Sequence, residues 1–344
     1  MGQQELPVLV RFLVVSTLSV NKSGVYWPLI WLGVMTDMRD MRLKRNLIEQ
    51  QHLKARQTLG RGSFHLENLH ILPNIMLAGL RVSGLLARGR RNALDLVIKP
   101  VRFEFNALPE GFSGLTILHL SDIHVDGNPG LAERICERIQ GLETDVCVMT
   151  GDYRYEFHGP CNDVYRDMEK ILASVNARYG IVGILGNHDS SEMIPELERM
   201  GVKMLVNEAW EMRNGPESLW FIGVDDPHYY GCDDLPGALN GVPHDAFKIL
   251  LVHSPELVEE ADENGVNLYL CGHTHGGQIR LPIIGPLVVN ANCPRRYAQG
   301  VWRYRNVRGY TSAGVGSSVL PVRFFCPPEI GLIDLRRSDS PDSD

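Results

Sequence analysis

Residues 115–126 read LTILHLSDIHVD. The first six are an almost wholly apolar run, the pattern of a strand buried on both faces. The run stops at Ser121, and Asp122 and His124 then alternate across one residue. On an extended segment such residues point the same way, so a carboxylate and an imidazole placed like this can share one metal ion.

An apolar run followed by metal-ligating residue types recurs four times downstream, three times with glycine among them. In TGDYR (150–154), Gly151 permits a tight turn and Asp152 projects from it, with two oxygens able to bridge two metals. In LGNHDS (185–190), Asn187 offers a neutral carbonyl, His188 a titratable imidazole, and Asp189 a partner able to hold that ring's tautomer. LLVHSP (250–255) supplies His253. LCGHTHGGQ (270–278) sets His273 and His275 two apart among glycines that allow close backbone approach.

Between these clusters, strand-like DVCVM, IVGIL, VKMLV, LWFIGV, FKILLV and NLYLC alternate with helical stretches such as LAERICERIQGL and DVYRDMEKILASV. That alternation predicts an α/β layered domain whose ligating residues sit at strand ends. His119, inside its strand, reads as a packed core residue, and His158 and His228 as loop residues.

Any one cluster alone is a weak signal; together and in this order, with GNHD and GHTHGG intact, they resemble the metallophosphoesterase superfamily that includes calcineurin and purple acid phosphatases. FIGVDDP, RRYAQGVW, SAGVGSSVLPVRFFCPPEIGLIDL and the lead-in LPEGFSGLTILHLSDIH resemble bacterial membrane-associated phosphodiesterases similar to UDP-2,3-diacylglucosamine pyrophosphatases. The resemblance covers residues 97–336. It implies a four-layer fold, two mixed β-sheets between helices, and a two-metal hydrolase. One metal would take Asp122, His124, Asp152 and His275; the other Asp152, Asn187, His253 and His273, so that Asp152 bridges. A metal-bridging hydroxide would attack phosphorus in line. His188 would serve the leaving oxygen, oriented by Asp189 or Asp122. A mixed N/O donor set without Cys suits Mn, Fe or Zn better than Ca or Mg. Arg295 and Arg296 in CPRRYAQG are candidates for holding a substrate phosphate, with a surface salt bridge as the alternative.

The chain has 344 residues, 44% of them hydrophobic, and a formal net charge of -7. Residues 1–108 hold 15 Lys and Arg against 7 Asp and Glu, a net of +8, which leaves -15 for the rest. An acidic catalytic region argues against nucleic acid as the partner. The basic N-terminal part suits an anionic membrane surface. Two apolar stretches, 6–20 and 25–35, are each too short to span a bilayer. ILPNIMLAGLRVSGLLARGRR (71–91) reads as a basic amphipathic helix that lies in a membrane interface or packs on the protein's own core. The expected organisation is an N-terminal segment at 1–95, a catalytic domain at 96–337 and an acidic disordered tail at 338–344. Seven scattered cysteines read as reduced thiols. The expected enzyme is a cytoplasmic phosphoesterase on the inner face of the membrane, cleaving a phosphodiester or pyrophosphate bond in a lipid-linked substrate. A phosphomonoesterase and a non-catalytic scaffold are the alternatives.

Overall fold

In a computed structural model that describes residues 44–50, 71–286 and 288–338, the apolar runs at 115–120, 146–149, 248–251 and 268–271 become strands with two buried faces. The expected membrane stretches at 6–20 and 25–35, and all of the acidic tail but Ser338, lie outside the described residues. Contacts divide the chain into Met1–Asp37 and Met38–Asp344, and every described residue belongs to the second unit.

That unit begins with helical residues 44–50 (α1), α2 (Ile71–Val82) and α3 (Leu85–Asn92), followed by β1 (Val97–Phe105) and β2 (Leu115–Leu120). Next come α4 (Leu131–Ile139), β3 (Glu143–Thr144), β4 (Val146–Met149), α5 (Asn162–Ala173), β5 (Asn176–Ala177), β6 (Ile181–Gly183), α6 (Ile194–Arg199) and β7 (Val202–Met204). The second half holds β8 (Glu208–Asn214), β9 (Glu217–Gly223), α7 (Leu235–Ala238), β10 (Lys248–Leu251), α8 (Val258–Glu263) and β11 (Leu268–Cys271). It ends with β12 (Arg280–Leu281), β13 (Gly285–Pro286), β14 (Gly300–Tyr304), β15 (Val307–Thr311) and β16 (Glu329–Arg337).

Two six-stranded mixed sheets result, ordered β1-β16-β2-β4-β6-β7 and β14-β15-β11-β10-β9-β8. Side chains alternate along a strand, and the alternation assigns the layers. Ile117, Val146 and Val148 of the first sheet meet Phe221, Ile249, Leu251 and Leu268 of the second in one core. Their neighbours face outward. Leu118, Cys147 and Met149 pack beneath α4, α5 and α6, while Leu250, Val252 and Tyr269 pack against α7 and α8. This is the expected four-layer arrangement. Pro100 sits on β1, an edge strand paired only with β16, where its missing N–H costs no ladder bond.

Residues 71–91 form two helices rather than one continuous amphipathic helix. The break falls at Ser83 and Gly84, where Gly84 takes a left-handed φ of 72° that a residue with Cβ resists. Helices α1, α2 and α3 all fall within the same unit as the sheets, so that unit starts well before residue 96.

Phe221 is fully buried at the seam between the sheets and stacks on Trp210. Phe221→Ala should lower unfolding stability by about 3–5 kcal/mol, measured by denaturant titration.

Candidate metal centre

Strands β2, β4 and β6 run parallel in one sheet, and β10 and β11 run parallel in the other. Their carboxyl ends therefore open on the same edge, the usual place for a site in such a layer. All five clusters lie there. Asp122 and His124 follow β2, Asp152 follows β4, Asn187 and His188 follow β6, His253 follows β10, and His273 and His275 follow β11. Each of these side chains is buried.

Five of them bend the backbone against its preference. Asp122, His124, Asp152, His273 and His275 have positive φ, between 40° and 67°. Non-glycine residues avoid this region, and it persists where the surroundings over-determine it. Here the surroundings are neighbouring loops. The His273 N–H donates to both Asp122 carboxylate oxygens at 3.0 Å, and the His188 N–H to Asp152 Oδ1 at 2.8 Å. The fit depends on glycines. A Cβ on Gly272 would collide with the side chains of Ser121 and Asp122, and one on Gly186 with Asp152.

The donor atoms fall into two groups that share one oxygen. His124 Nε2 lies 3.2 Å from His275 Nε2 and 3.4 Å from Asp152 Oδ2, and His275 Nε2 lies 3.4 Å from Asp122 Oδ1. His253 Nε2 lies 2.9 Å from Asn187 Oδ1, 3.3 Å from Asp152 Oδ2 and 3.2 Å from His273 Nδ1. Asp152 Oδ2 belongs to both groups. Hydrogen bonding fixes which nitrogens are bare. His124 Nδ1 donates to the Arg154 carbonyl and His253 Nδ1 to the Thr150 carbonyl, each at 2.7 Å. In the neutral ring the Nε2 of each is then a lone pair, aimed at other acceptors. Acceptors crowded this way require a cation among them. Ligand atoms sharing an ion at about 2.0–2.2 Å stand about 3.0–3.5 Å from one another, which matches both groups. The donor set fits a dinuclear metal site.

Electrostatics point the same way. Burial opposes ionisation of Asp152, but the surrounding His253, His188 and His124 outweigh it and hold the carboxyl well below its usual range. Burial likewise opposes charging His253, yet Asp152 and Asp122 push it up to about 10. Burial, then neighbouring histidines, holds His273 and His275 well below the usual imidazole range, as neutral ligands.

His188 stands beside both groups with Nε2 3.9 Å from Asp152 Oδ2. Its ring stacks on Phe157, and Nδ1 is 2.6 Å from the Tyr155 carbonyl. That carbonyl, rather than the carboxylate of Asp189 or Asp122, orients the imidazole. Asp189 accepts backbone N–H groups from Asp152, Tyr153 and Gly186 at 2.7–2.8 Å. Its carboxylate ties the β4 loop to the β6 loop. Arg295 and Arg296 lie exposed on a short 3-10 turn, with Arg296 donating to the Tyr297 hydroxyl. Among the described residues, no hydrogen bond or ion pair joins either arginine to the donor groups.

The structure adds residues that the sequence patterns passed over. Arg45 of α1 is wholly buried behind the β6 loop. Its guanidinium donates to the carbonyls of Gly186 at 2.8 Å and Asp189 at 2.6 Å, pairs with Asp225, and lies over the Tyr230 ring. Glu49, one turn on, accepts from the Ser191 N–H and hydroxyl. On the other flank, buried Arg323 holds the carbonyls of Ala313 and Gly316 and lies 3.2 Å from His275 Nδ1. His228 is in a loop, as expected, yet its ring lies 4.2 Å from that of His273, with Nδ1 2.7 Å from Glu256. His119 is buried and 2.9 Å from Thr150 Oγ1, and burial lowers it to about 3.

The calcineurin-like phosphoesterase family matches residues 115–277, from β2 to the end of the GHTHGG loop. An uncharacterized metallophosphoesterase of Bacillus subtilis, YkuE, is 30% identical over 244 residues, 67% of this chain and 82% of that protein. The chain belongs to the calcineurin-like phosphoesterase family. It is a hydrolase of phosphoric esters. The phosphodiesterase YaeI of Escherichia coli is 27% identical over 68% of this chain and 84% of its own. A transmembrane protein with metallophosphoesterase domain from Danio rerio is 28% identical over 94% of this chain and 74% of its own.

Arg45→Met leaves Asp225 buried and unpaired, so it should cost about 3–5 kcal/mol of stability in denaturant unfolding. Removing both charges together, Arg45→Met with Asp225→Asn, should cost less than Arg45→Met alone.

Proposed function

We propose that this phosphoesterase cleaves a phosphodiester or pyrophosphate bond in a lipid-linked substrate, using two ions of Mn, Fe or Zn. The observation that carries the reading is the pair of donor groups joined at Asp152 Oδ2 with the His188 imidazole alongside. Bound cations supply Lewis acidity, activating water and neutralising charge on the phosphate oxygens. The chain's own residues do the rest. Asp122, His124, Asp152 and His275 would hold one ion, and Asp152, Asn187, His253 and His273 the other. His188 turns Nε2 toward the cluster, and because its Nδ1 donates to the Tyr155 carbonyl, Nε2 would give a proton to the leaving oxygen only from the charged ring. The Tyr155 carbonyl and the Phe157 ring keep it at that angle.

The phosphodiesterase name of YaeI supports the diester reading over a phosphomonoesterase, and the transmembrane relative supports a membrane-accessible substrate. A diacylglucosamine nucleotide is one test substrate among lipid-linked diesters and pyrophosphates. The seven free cysteines suit a cytoplasmic location on the inner face of the membrane, with residues 1–95 as a peripheral contact. Among the described residues, no helix is long and apolar enough to cross a membrane.

Metal-stripped protein should recover hydrolysis of bis(p-nitrophenyl) phosphate when Mn, Fe or Zn is restored, faster than that of p-nitrophenyl phosphate. His188→Ala should lower kcat about 10²–10⁴-fold while two metals stay bound by elemental analysis. Asp152→Asn should lose both activity and metal. A folded, metal-loaded protein inert toward every ester would put the scaffold reading in its place.

A further inference from the structure

The loop that leaves the metal centre runs straight into exposed apolar side chains. After GHTHGG, strands β12 and β13 form a small hairpin with Ile283 and Ile284 at its tip, fully exposed and 67% exposed. The hairpin folds back on the site, since Pro286 occupies the space a Cβ on Gly277 would take. Phe324 bridges to Ile279 and lies over Gly89 of α3, while Phe325 beside it is 66% exposed. The Arg323 N–H donates to the Gly89 carbonyl, and the Asn92 side chain to the Arg323 carbonyl. The α2–α3 hairpin, the β12–β13 hairpin and the loop 318–326 are therefore one connected piece. On α2 and α3 it continues with Ile75 and Leu85, and at the end of α2 Val82 is 91% exposed. Ile283 and Phe325 hold positive φ of 72° and 52°, which branched and bulky residues resist, with their side chains turned to solvent.

Charge on this piece is of one sign. From Ile71 to Leu94 the sequence has four Arg, the stretches 280–286 and 318–326 have one each, and none of the three has an Asp or Glu. The whole chain is nonetheless net negative. Arg81, Arg88, Arg90 and Arg91 are all exposed beside the apolar side chains. Exposed apolar tips and the exposed arginines of α2 and α3, with no carboxylate among these segments, complement a bilayer bearing anionic headgroups, where the tips enter the acyl boundary and the guanidiniums meet phosphates.

We infer that this face, formed by the α2–α3 hairpin, the β12–β13 hairpin and the loop 318–326, docks on an anionic lipid bilayer and holds the metal centre at the membrane surface. It takes its substrate class from the lipid-linked reading above. Because the β12–β13 hairpin grows directly out of GHTHGG, a lipid-borne ester at the membrane surface meets the centre without leaving the bilayer.

The test uses full-length protein and vesicles of phosphatidylcholine with or without phosphatidylglycerol. Binding should require phosphatidylglycerol and weaken with salt. Ile283→Asp with Ile284→Asp, and separately Arg88→Glu with Arg90→Glu, should each lower vesicle partition about tenfold or more. Hydrolysis of soluble bis(p-nitrophenyl) phosphate should be unchanged in both, which reports that fold and centre are intact. Undiminished partition in both double variants would overturn the docking face. So would loss of a dimer in light scattering with vesicle binding unaltered, which would make a second copy of the chain the occupant. Vesicle binding of the expected pattern, with a vesicle-borne diester lipid left intact, supports the docking face and removes only the lipid-substrate reading.

Discussion

One carboxylate oxygen, Asp152 Oδ2, sits between two groups of acceptors that repel one another unless cations lie among them. The rest of the centre follows from that constraint. A carboxylate can serve two ions only if it projects between them, and the turn at Gly151, with φ 87°, lifts it off the end of β4 to do so. His124 and His253 must present bare nitrogens, so their other nitrogens are committed to backbone carbonyls of the same loop, those of Arg154 and Thr150. The β4 loop thus supplies the shared ligand and also fixes the tautomer of one histidine in each group.

Cations fixed behind the loops balance this concentration of acid. Arg45 and Arg323 are fully buried on opposite flanks, and neither offers a lone pair that could compete as a ligand. Each guanidinium is spread over several backbone carbonyls. The planar fork makes such pinning specific in a way an ammonium cannot. Arg45 thereby shapes the GNHD loop and Arg323 the loop that abuts Asp122, where the Gly316 N–H donates to the Asp122 carbonyl. Asp189 works in the same manner with opposite sign. Burial and the charge of Asp152 push its carboxyl up to about 6, against three backbone N–H groups that favour the anion.

The layers were legible because parallel strands buried on both faces read as short continuous apolar runs, and β2, β4, β10 and β11 are such runs. The candidate donors were legible as residue types grouped at strand ends, while their division into two ligand sets was implied by the family resemblance. What spacing cannot carry is a partner far along the chain. Arg45 and Asp225 are 180 residues apart, and nothing in the sequence MRLKRNLIEQ distinguishes that arginine from the other basic residues of the stretch. Composition is equally silent on α1, which Arg45 and Glu49 hold through bonds to residues far along the chain. Arg323 lay inside SAGVGSSVLPVRFFCPP, a stretch marked by resemblance, but its role as the clamp on that loop needed the fold. Asp189 was legible as a residue near His188 and not as the one whose carboxylate faces the backbone, because adjacency in sequence does not fix direction.

The centre is built across the seam between the two sheets. The first donor group takes Asp122, His124 and Asp152 from loops of one sheet and His275 from the other; the second takes Asp152 and Asn187 from one and His253 and His273 from the other. Neither group is complete within a single sheet. An ion bound to either group therefore contributes to the docking of the sheets, and its binding free energy is in part folding free energy, as expected where the ligands are not assembled in the unfolded chain. The inter-sheet core around Phe221 and Ile249 sets the register that brings the donors within reach. Packing and metal affinity are thus coupled in both directions, because a shift of the seam by even a fraction of an ångström would reach both groups through the one oxygen they share.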